Sequence, residues 1–310
     1  MPLRIEGKST GEEGRPVSME LWQQALGPHE LWLEQRPGGT RAVLEHLNLV
    51  HLQAPLVRMR SAIFRHLEMP GSDFNGANLA RVEFEECDLS MSNLSSSDLT
   101  GSIWLKSRLN DASLSAANLC EAEMQTASLQ QVKAPGSRWL EARLSRCDFT
   151  QCVLRQASLH HISLIECAFV ESDLEEALFY RASLQFCRFR DTRALGANFT
   201  GSKLECCSFD HCLLDSIRLA QTSLRGTSFH GCSLRGADLR DTDLGGCVFH
   251  GSRLEGARFQ NARTFGTDFR GANLRGAREL TPHQLGQSRT DETTVLPNGT
   301  AGPYRKAGKF

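Results

Sequence analysis

Apolar residues recur at every fifth position of the chain from Leu44 to Leu274. Of these 47 positions, 25 are Leu, 13 are Phe, three are Met and two are Trp. The residue two places earlier is Ala, Cys, Ser or Thr at 39 of the 47 sites, and it is never charged. A period of five fits neither a helix of about 3.6 residues per turn nor an alternating strand. The pattern therefore predicts a coil with flat sides, regular corners and one large and one small inward side chain per repeat.

A second period of 20 residues indicates how many sides the coil has. Seven phenylalanines follow one another at this spacing: Phe149, Phe169, Phe189, Phe209, Phe229, Phe249 and Phe269. Twenty residues make four repeats, which predicts a four-sided solenoid in which each turn stacks on the one before. Backbone pairing between turns would space the seven rings by about 4.8 Å, a distance that allows aromatic stacking.

These repeats resemble the pentapeptide-repeat family, whose pattern is Ala, then Asp or Asn, then Leu, then two variable residues. The pattern is plain at Ala77-Asn78-Leu79, Ala117-Asn118-Leu119, Ala197-Asn198-Phe199, Ala237-Asp238-Leu239 and Ala272-Asn273-Leu274. The resemblance covers about three quarters of the chain. It implies an all-β solenoid, namely a right-handed quadrilateral β-helix. The repeat count gives about twelve coils, and we expect a short helical cap at each end.

The ends of the chain depart from the repeat and predict those caps, because a solenoid exposes an apolar cross-section at each end. Ser18 fits the N-cap of a helix that Gly27-Pro28 should kink or divide, and Thr281 with Pro282 fits the start of a second helix. The predicted segments are a disordered stretch over 1–17, a helical cap over 18–40, the β-helix over 41–278, a capping helix and turn over 279–297, and a flexible tail over 298–310.

Eleven cysteines invite a metal or disulfide interpretation, which their register does not favour. Nine of them occupy the small inward position: Cys87, Cys147, Cys152, Cys167, Cys187, Cys207, Cys212, Cys232 and Cys247. Free Cys packs like a small hydrophobic residue, and parallel inward Cβ vectors exceed the Cβ separation of a disulfide. We expect reduced packing thiols with no metal and no cofactor; a disulfide or redox role and a metal site are the alternatives.

The outward positions offer two candidate binding sites and no catalytic constellation. The chain lacks G-x-S-x-G, H-E-x-x-H and P-loop motifs, so no catalytic residue is assigned and we expect no enzyme. Arg190, His230, His250 and Arg270, with Asp210 among them, form a column that could bind an anion or be a solvated surface ladder. Outward apolar residues predict a partner patch, against the alternative of scattered surface residues: Val153, Ile165, Val170, Leu178, Tyr180, Leu195 and Leu213.

The net charge of −1 hides an uneven distribution along the chain. Residues 41–176 carry 12 basic and 18 acidic side chains, whereas residues 177–278 carry 15 and 9. Near-neutral total charge argues against direct nucleic-acid binding, while the two oppositely charged stretches suit protein partners of opposite charge. No apolar leader or span is visible, so we expect a cytoplasmic protein without a membrane span, with non-classical secretion as the alternative if it is an effector.

Three functions remain open at this stage. The first is a non-catalytic, rigid protein–protein interaction scaffold or adaptor for an unknown protein partner. The second is a bacterial secretion-system effector or accessory protein, and the third is a DNA mimic that binds DNA gyrase, both suggested by the family resemblance. The basic stretch and the absence of inserted loops in the repeat disfavour the mimic. We expect a capped monomer or a weak dimer.

Overall fold

The computed structural model describes residues 3–6 and 15–305, and the chain divides into two compact units, Met1–Val153 and Leu154–Phe310. Both units are parallel β-solenoids with a 20-residue register, which confirms the predicted fold class. The division falls inside the segment 41–278, which was expected to be one domain. Because each turn of a solenoid packs against adjacent turns, its stability is built locally and not around one central core.

The N-terminal unit consists of one parallel sheet and one helix. Its elements are β1 (Leu3–Glu6), α1 (Arg15–Leu33), β2 (Ala42–Glu45), β3 (Ile63–Arg65), β4 (Glu83–Glu85), β5 (Ile103–Leu105), β6 (Glu123–Gln125) and β7 (Arg143–Ser145). Strands β2 to β7 stack in the predicted register, with Leu44 opposite Phe64 and Phe64 opposite Phe84. Strand β1 pairs with β2 and so lies where a disordered segment 1–17 was expected. Residues 1–2 and 7–14 of that segment lie outside the described residues.

Helix α1 covers the start of the solenoid and differs from the expected cap in two ways. It runs unbroken through Gly27 and Pro28, because a glycine before proline has no Cβ to clash with the ring. Ser18 lies inside the helix and is not its N-cap; its hydroxyl accepts a hydrogen bond from the backbone N–H of Asn48 at 3.3 Å. The buried Trp22 ring lies 6.1 Å from Phe64, so the helix closes the apolar end of the coil.

The C-terminal unit has strands on two adjacent faces and a short terminal helix. Its elements are β8 (Ser163–Ile165), β9 (Ala168–Val170), β10 (Ser183–Gln185), β11 (Arg188–Arg190), β12 (Lys203–Glu205), β13 (Ser208–Asp210), β14 (Ser228–His230) and α2 (Pro282–Gly286). Strands β8, β10 and β12 form one parallel ladder, and β9, β11, β13 and β14 form the other.

The solenoid has about nine turns, so the expected count of about twelve coils was slightly too high. The carbonyl of Leu224 accepts a hydrogen bond from the N–H three residues later at 3.0 Å, and the carbonyl of Leu244 does so at 2.9 Å. Each hydrogen bond closes a corner of the coil. A closed corner shortens the extended segment, so these late turns pair through single bridges such as Ser223 with Asp243 in place of three-residue strands.

Stacked aromatic rings form much of the core of the C-terminal unit. Six of the seven predicted phenylalanines stack in order from Phe169 to Phe269, with successive ring centroids 4.9, 4.4, 4.8, 5.1 and 5.4 Å apart. The seventh, Phe149, belongs to the N-terminal unit. The stacked rings are almost fully excluded from water, so the 20-residue period translates directly into a column of aromatic contacts.

Helix α2 caps the end of the C-terminal unit as the sequence predicts. Thr281 is its N-cap, and a reciprocal capping box joins Thr281 to Gln284. The buried Gln284 side chain also donates to the carbonyls of Phe259 and Ala262 at 3.0 and 2.9 Å, two acceptors that no further turn satisfies. Within the predicted tail 298–310, Ala301 forms an antiparallel bridge with Val295, so its described part has a defined backbone.

Candidate functional site

The inward cysteines are packing residues. All nine are buried. Burial raises the pKa of the Cys87 thiol to about 12, and it also raises the pKa of Cys247. These two thiols stay protonated at neutral pH, which makes them poor nucleophiles and poor metal ligands. Among residues 3–6 and 15–305, no cluster of three or more His, Cys, Asp or Glu side chains could hold a metal ion.

The structure does not bring the predicted partner patch together. Leu213 shares its ladder with Arg193 and Ser233, whereas Leu178 pairs with Ser158 and Asn198 on another face. Ile165 ends β8 and Val170 ends β9, on two further faces of the C-terminal unit. These residues are separated because the five-residue period determines that a side chain points outward but not which of the four sides it lies on.

The remaining patch residues also lie apart. Val153 pairs with Lys133 in the N-terminal unit. Tyr180 packs at a corner, with its ring centroid 6.1 Å from that of His160 and the Arg181 guanidinium 5.1 Å from it. Leu195 lies at the corner that follows the ladder of Leu213. The seven residues therefore do not form one contiguous surface.

The predicted anion column exists, but carboxylates already occupy it. Strand register aligns Arg190, Asp210 and His230, and the His230 and His250 rings stack at 5.6 Å. Asp210 lies 3.6 Å from His230 Nδ1. The Arg190 guanidinium contacts Asp191 at 3.3 Å. These contacts leave little uncompensated positive charge at this end of the column.

Arg270, the last member of the column, is also neutralised. Its guanidinium binds both oxygens of Asp268 at 2.6 to 3.1 Å. This pairing holds the pKa of the Asp268 carboxyl below its usual range. Both arginines of the column are therefore paired with carboxylates.

Sequence reasoning missed an exposed apolar corner formed by Ile165, Phe186 and Cys206. The side chains of Ile165 and Phe186 are 40% and 57% exposed, and Cys206 is the one exposed cysteine. Gln185 lies opposite Ile165 in one adjacent strand and opposite Glu205 in the other. Phe186 follows Gln185 and Cys206 follows Glu205, so the two take the same corner position in successive turns. The sequence contains a signal for this corner, because positions 186 and 206 are 20 residues apart and the 20-residue period places them at the same corner.

The backbone makes this apolar corner costly to build. Phe186 has φ +54° and Cys206 has φ +52°, a left-handed conformation that is uncommon for a bulky residue. Gly226 and Gly246 take the equivalent corner position in the next two turns. More than half of the Phe186 side chain is exposed at this position, so the ring is available to a molecule outside the unit.

Two shallow clefts also open on the last turns of the C-terminal unit. The larger, of about 420 Å³, is lined by Asp241, Asp243, Asn261 and neighbouring polar residues. Its polar groups are partnered, since Asn261 donates to Asp241 at 3.0 Å and Arg225 pairs with Asp243 at 2.8 Å. The smaller cleft, of about 180 Å³, is lined chiefly by arginines.

Two family models match the chain. One, described as a pentapeptide repeat region, matches residues 142–219; the other, described as pentapeptide repeats in eight copies, matches residues 71–101, 212–251 and 252–278. Together they span more than half of the chain. The chain belongs to the pentapeptide-repeat family. The resemblance drawn from its Ala-Asn-Leu motifs is thereby confirmed.

Several solved pentapeptide-repeat proteins match this chain at low sequence identity. HetL, involved in heterocyst differentiation regulation in the cyanobacterium Nostoc, is 20% identical over 83% of this chain and 92% of its own, with a TM-score of 0.36. QnrB1, a plasmid-mediated fluoroquinolone resistance protein, is 17% identical over 71% and 91%, with a TM-score of 0.29. A protein of the Arabidopsis thaliana thylakoid lumen is 24% identical over 42% and 83%, with a TM-score of 0.18.

No curated protein sequence matches this chain. In the part of the chain that the structure describes, no helix has the length and apolar character needed to cross a membrane.

Proposed function

We propose that this pentapeptide-repeat protein is a non-catalytic, rigid scaffold that binds a protein partner through the apolar corner of Ile165, Phe186 and Cys206. The observation that carries the proposal is the exposed Phe186 ring on a left-handed backbone. Aromatic residues at the centre of an interface often carry much of the binding energy. Here the ring stands on a regular parallel ladder, so its position is fixed before any partner arrives.

The surface of the C-terminal unit does not favour the DNA-mimic alternative. A mimic of the DNA backbone needs a continuous run of negative charge. Two consecutive turns of this unit instead present Arg258 and Arg278 on the same ladder. No comparable observation favours a secretion role, so the scaffold is the function that the outward residues support best.

The exposed Cys206 offers a direct way to find the partner. A photoreactive maleimide attached to the native Cys206 thiol would crosslink a protein that contacts the apolar corner. The ten buried thiols would not be labelled in the folded protein. The crosslinked protein, identified by mass spectrometry from an extract of the native host, would then be purified for affinity measurements.

The deciding measurement compares two variants for binding to that purified partner. Phe186→Ser should weaken the affinity by at least about tenfold, as expected for an aromatic anchor. Met91→Ser is the matched control, because Met91 is 63% exposed and also has a left-handed backbone, but lies in the N-terminal unit. Equal affinity of wild type and Phe186→Ser would exclude the apolar corner as the interface.

A further inference from the structure

We propose that the last turns of the C-terminal unit bind a small oxyanion of the phosphate class in a cleft formed by Arg240, Arg258 and Arg278. Gln260 and Glu279 complete the lining, and the cleft measures about 180 Å³. Pockets for drug-sized ligands begin at about 300 Å³. This cleft therefore has room for a single phosphate-sized group and not for a drug-sized ligand.

Two of the arginines are stacked directly above one another. Arg258 and Arg278 form a parallel bridge between consecutive turns, and the Arg278 N–H donates to the carbonyl of Ala257 at 2.8 Å. Like charges directly opposite each other on neighbouring strands are destabilising. Both side chains are exposed, and neither guanidinium has an ion-pair partner within residues 3–6 and 15–305. An anion between them would remove this repulsion.

The carboxylates near the cleft contact its three arginines unequally. Both oxygens of Asp238 are taken by Arg240, through Nε and Nη2, each at 2.7 Å. Glu279 is the other carboxylate that lines the cleft. Arg258 faces Asp238 in the preceding turn of the ladder, whereas Arg278 faces Arg258 and has no ion pair among the described residues.

The donors match the chemistry of a tetrahedral oxyanion. A guanidinium group presents several N–H donors in a planar fork, which suits phosphate and sulfate better than a spherical ion such as chloride. The Gln260 carboxamide can add a neutral donor at the rim. The bidentate contact with Asp238 holds the Arg240 side chain in place, so this arginine does not need to be ordered when the anion binds.

Calorimetric titration of the full chain with inorganic phosphate tests the proposal, with sodium chloride at matched ionic strength as the reference. Arg278→Gln should weaken phosphate binding by about tenfold, because a charge-assisted hydrogen bond is lost. Arg253→Gln is the matched control: Arg253 is exposed at an outward bridge position on another face, and its replacement removes the same charge. Its phosphate affinity should stay within about twofold of wild type.

Glu279→Gln gives a prediction of opposite sign. Removing this carboxylate should tighten phosphate binding several-fold, because a repulsive charge leaves the cleft while the three arginines remain. A parallel titration with O-phosphoserine distinguishes two kinds of ligand. If the cleft takes only the free ion, inorganic phosphate binds and O-phosphoserine does not. If the cleft takes phosphate esters, both compounds bind. Absence of phosphate binding beyond the chloride reference, or equal losses in Arg278→Gln and Arg253→Gln, would overturn the proposal.

Discussion

His29 joins helix α1 to the first turns of the solenoid through both of its ring nitrogens. Nδ1 accepts a hydrogen bond from the Ala42 N–H at 3.0 Å, so Nε2 carries the proton and donates to the Arg60 carbonyl at 3.1 Å. The ring is fully buried and stacks on Trp32 at 5.4 Å. Burial, reinforced by the nearby charge of Arg41, lowers the pKa of His29 below 6.5. Protonation of Nδ1 would place its N–H donor against the N–H donor of Ala42 and break this hydrogen bond.

This arrangement predicts a loss of stability in mild acid. Below pH 6.5 the unfolded chain binds a proton that the native His29 does not, so stability is complete above that pH and falls as the pH decreases toward the lowered native pKa. The slope from this group approaches about 1.4 kcal/mol per pH unit. Urea unfolding of wild type and His29→Gln between pH 7 and pH 5 measures it, since Gln keeps a donor and an acceptor without titrating.

The exposed His51 in the same unit provides the control for this experiment. His51→Gln should keep the wild-type pH dependence, whereas His29→Gln should flatten it by about one proton. If both variants retain the same slope as wild type, the acid sensitivity of the N-terminal cap lies elsewhere.

At the scale of elements, the C-terminal cap depends on one side chain. The Gln284 oxygen accepts from the backbone N–H and the hydroxyl of Thr281 at 2.7 and 2.9 Å, while its amide satisfies two carbonyls of the preceding turn. Gln284→Leu would keep the apolar contact but remove these four hydrogen bonds, at a cost of about 2 to 4 kcal/mol. Urea unfolding followed by circular dichroism measures the difference in the free energy of unfolding.

The neighbouring Gln287 supplies the comparison for the cap. It is exposed, and its side-chain contact is with His283 on the same helix. Gln287→Leu should change the free energy of unfolding by no more than about 0.5 kcal/mol. Equal destabilisation by the two substitutions would mean that α2 stabilises the unit through its apolar face and not through Gln284.

The five-residue period was enough to predict which side chains point inward, because that direction repeats whatever the corner geometry. Leu44, Phe64 and Phe84 stack as their spacing requires. The closing of the corner after Leu224 was not predictable, since it depends on a backbone hydrogen bond and not on the apolar pattern. The apolar patch failed for a different reason: Leu178 and Leu213 are both outward, but their ladders face different sides.

At the scale of the whole molecule, the eleven cysteines report whether the turns that contain them are intact. Ten thiols are buried in the two units, and Cys206 alone is exposed. A thiol reagent such as DTNB should therefore modify one thiol rapidly in the native protein and eleven in denaturant, because buried thiols react only when their turns open. Cys206→Ser should abolish the rapid phase without changing the slow one. A native stoichiometry well above one would show that turns containing inward cysteines open readily, and would contradict a continuously packed interior in each unit.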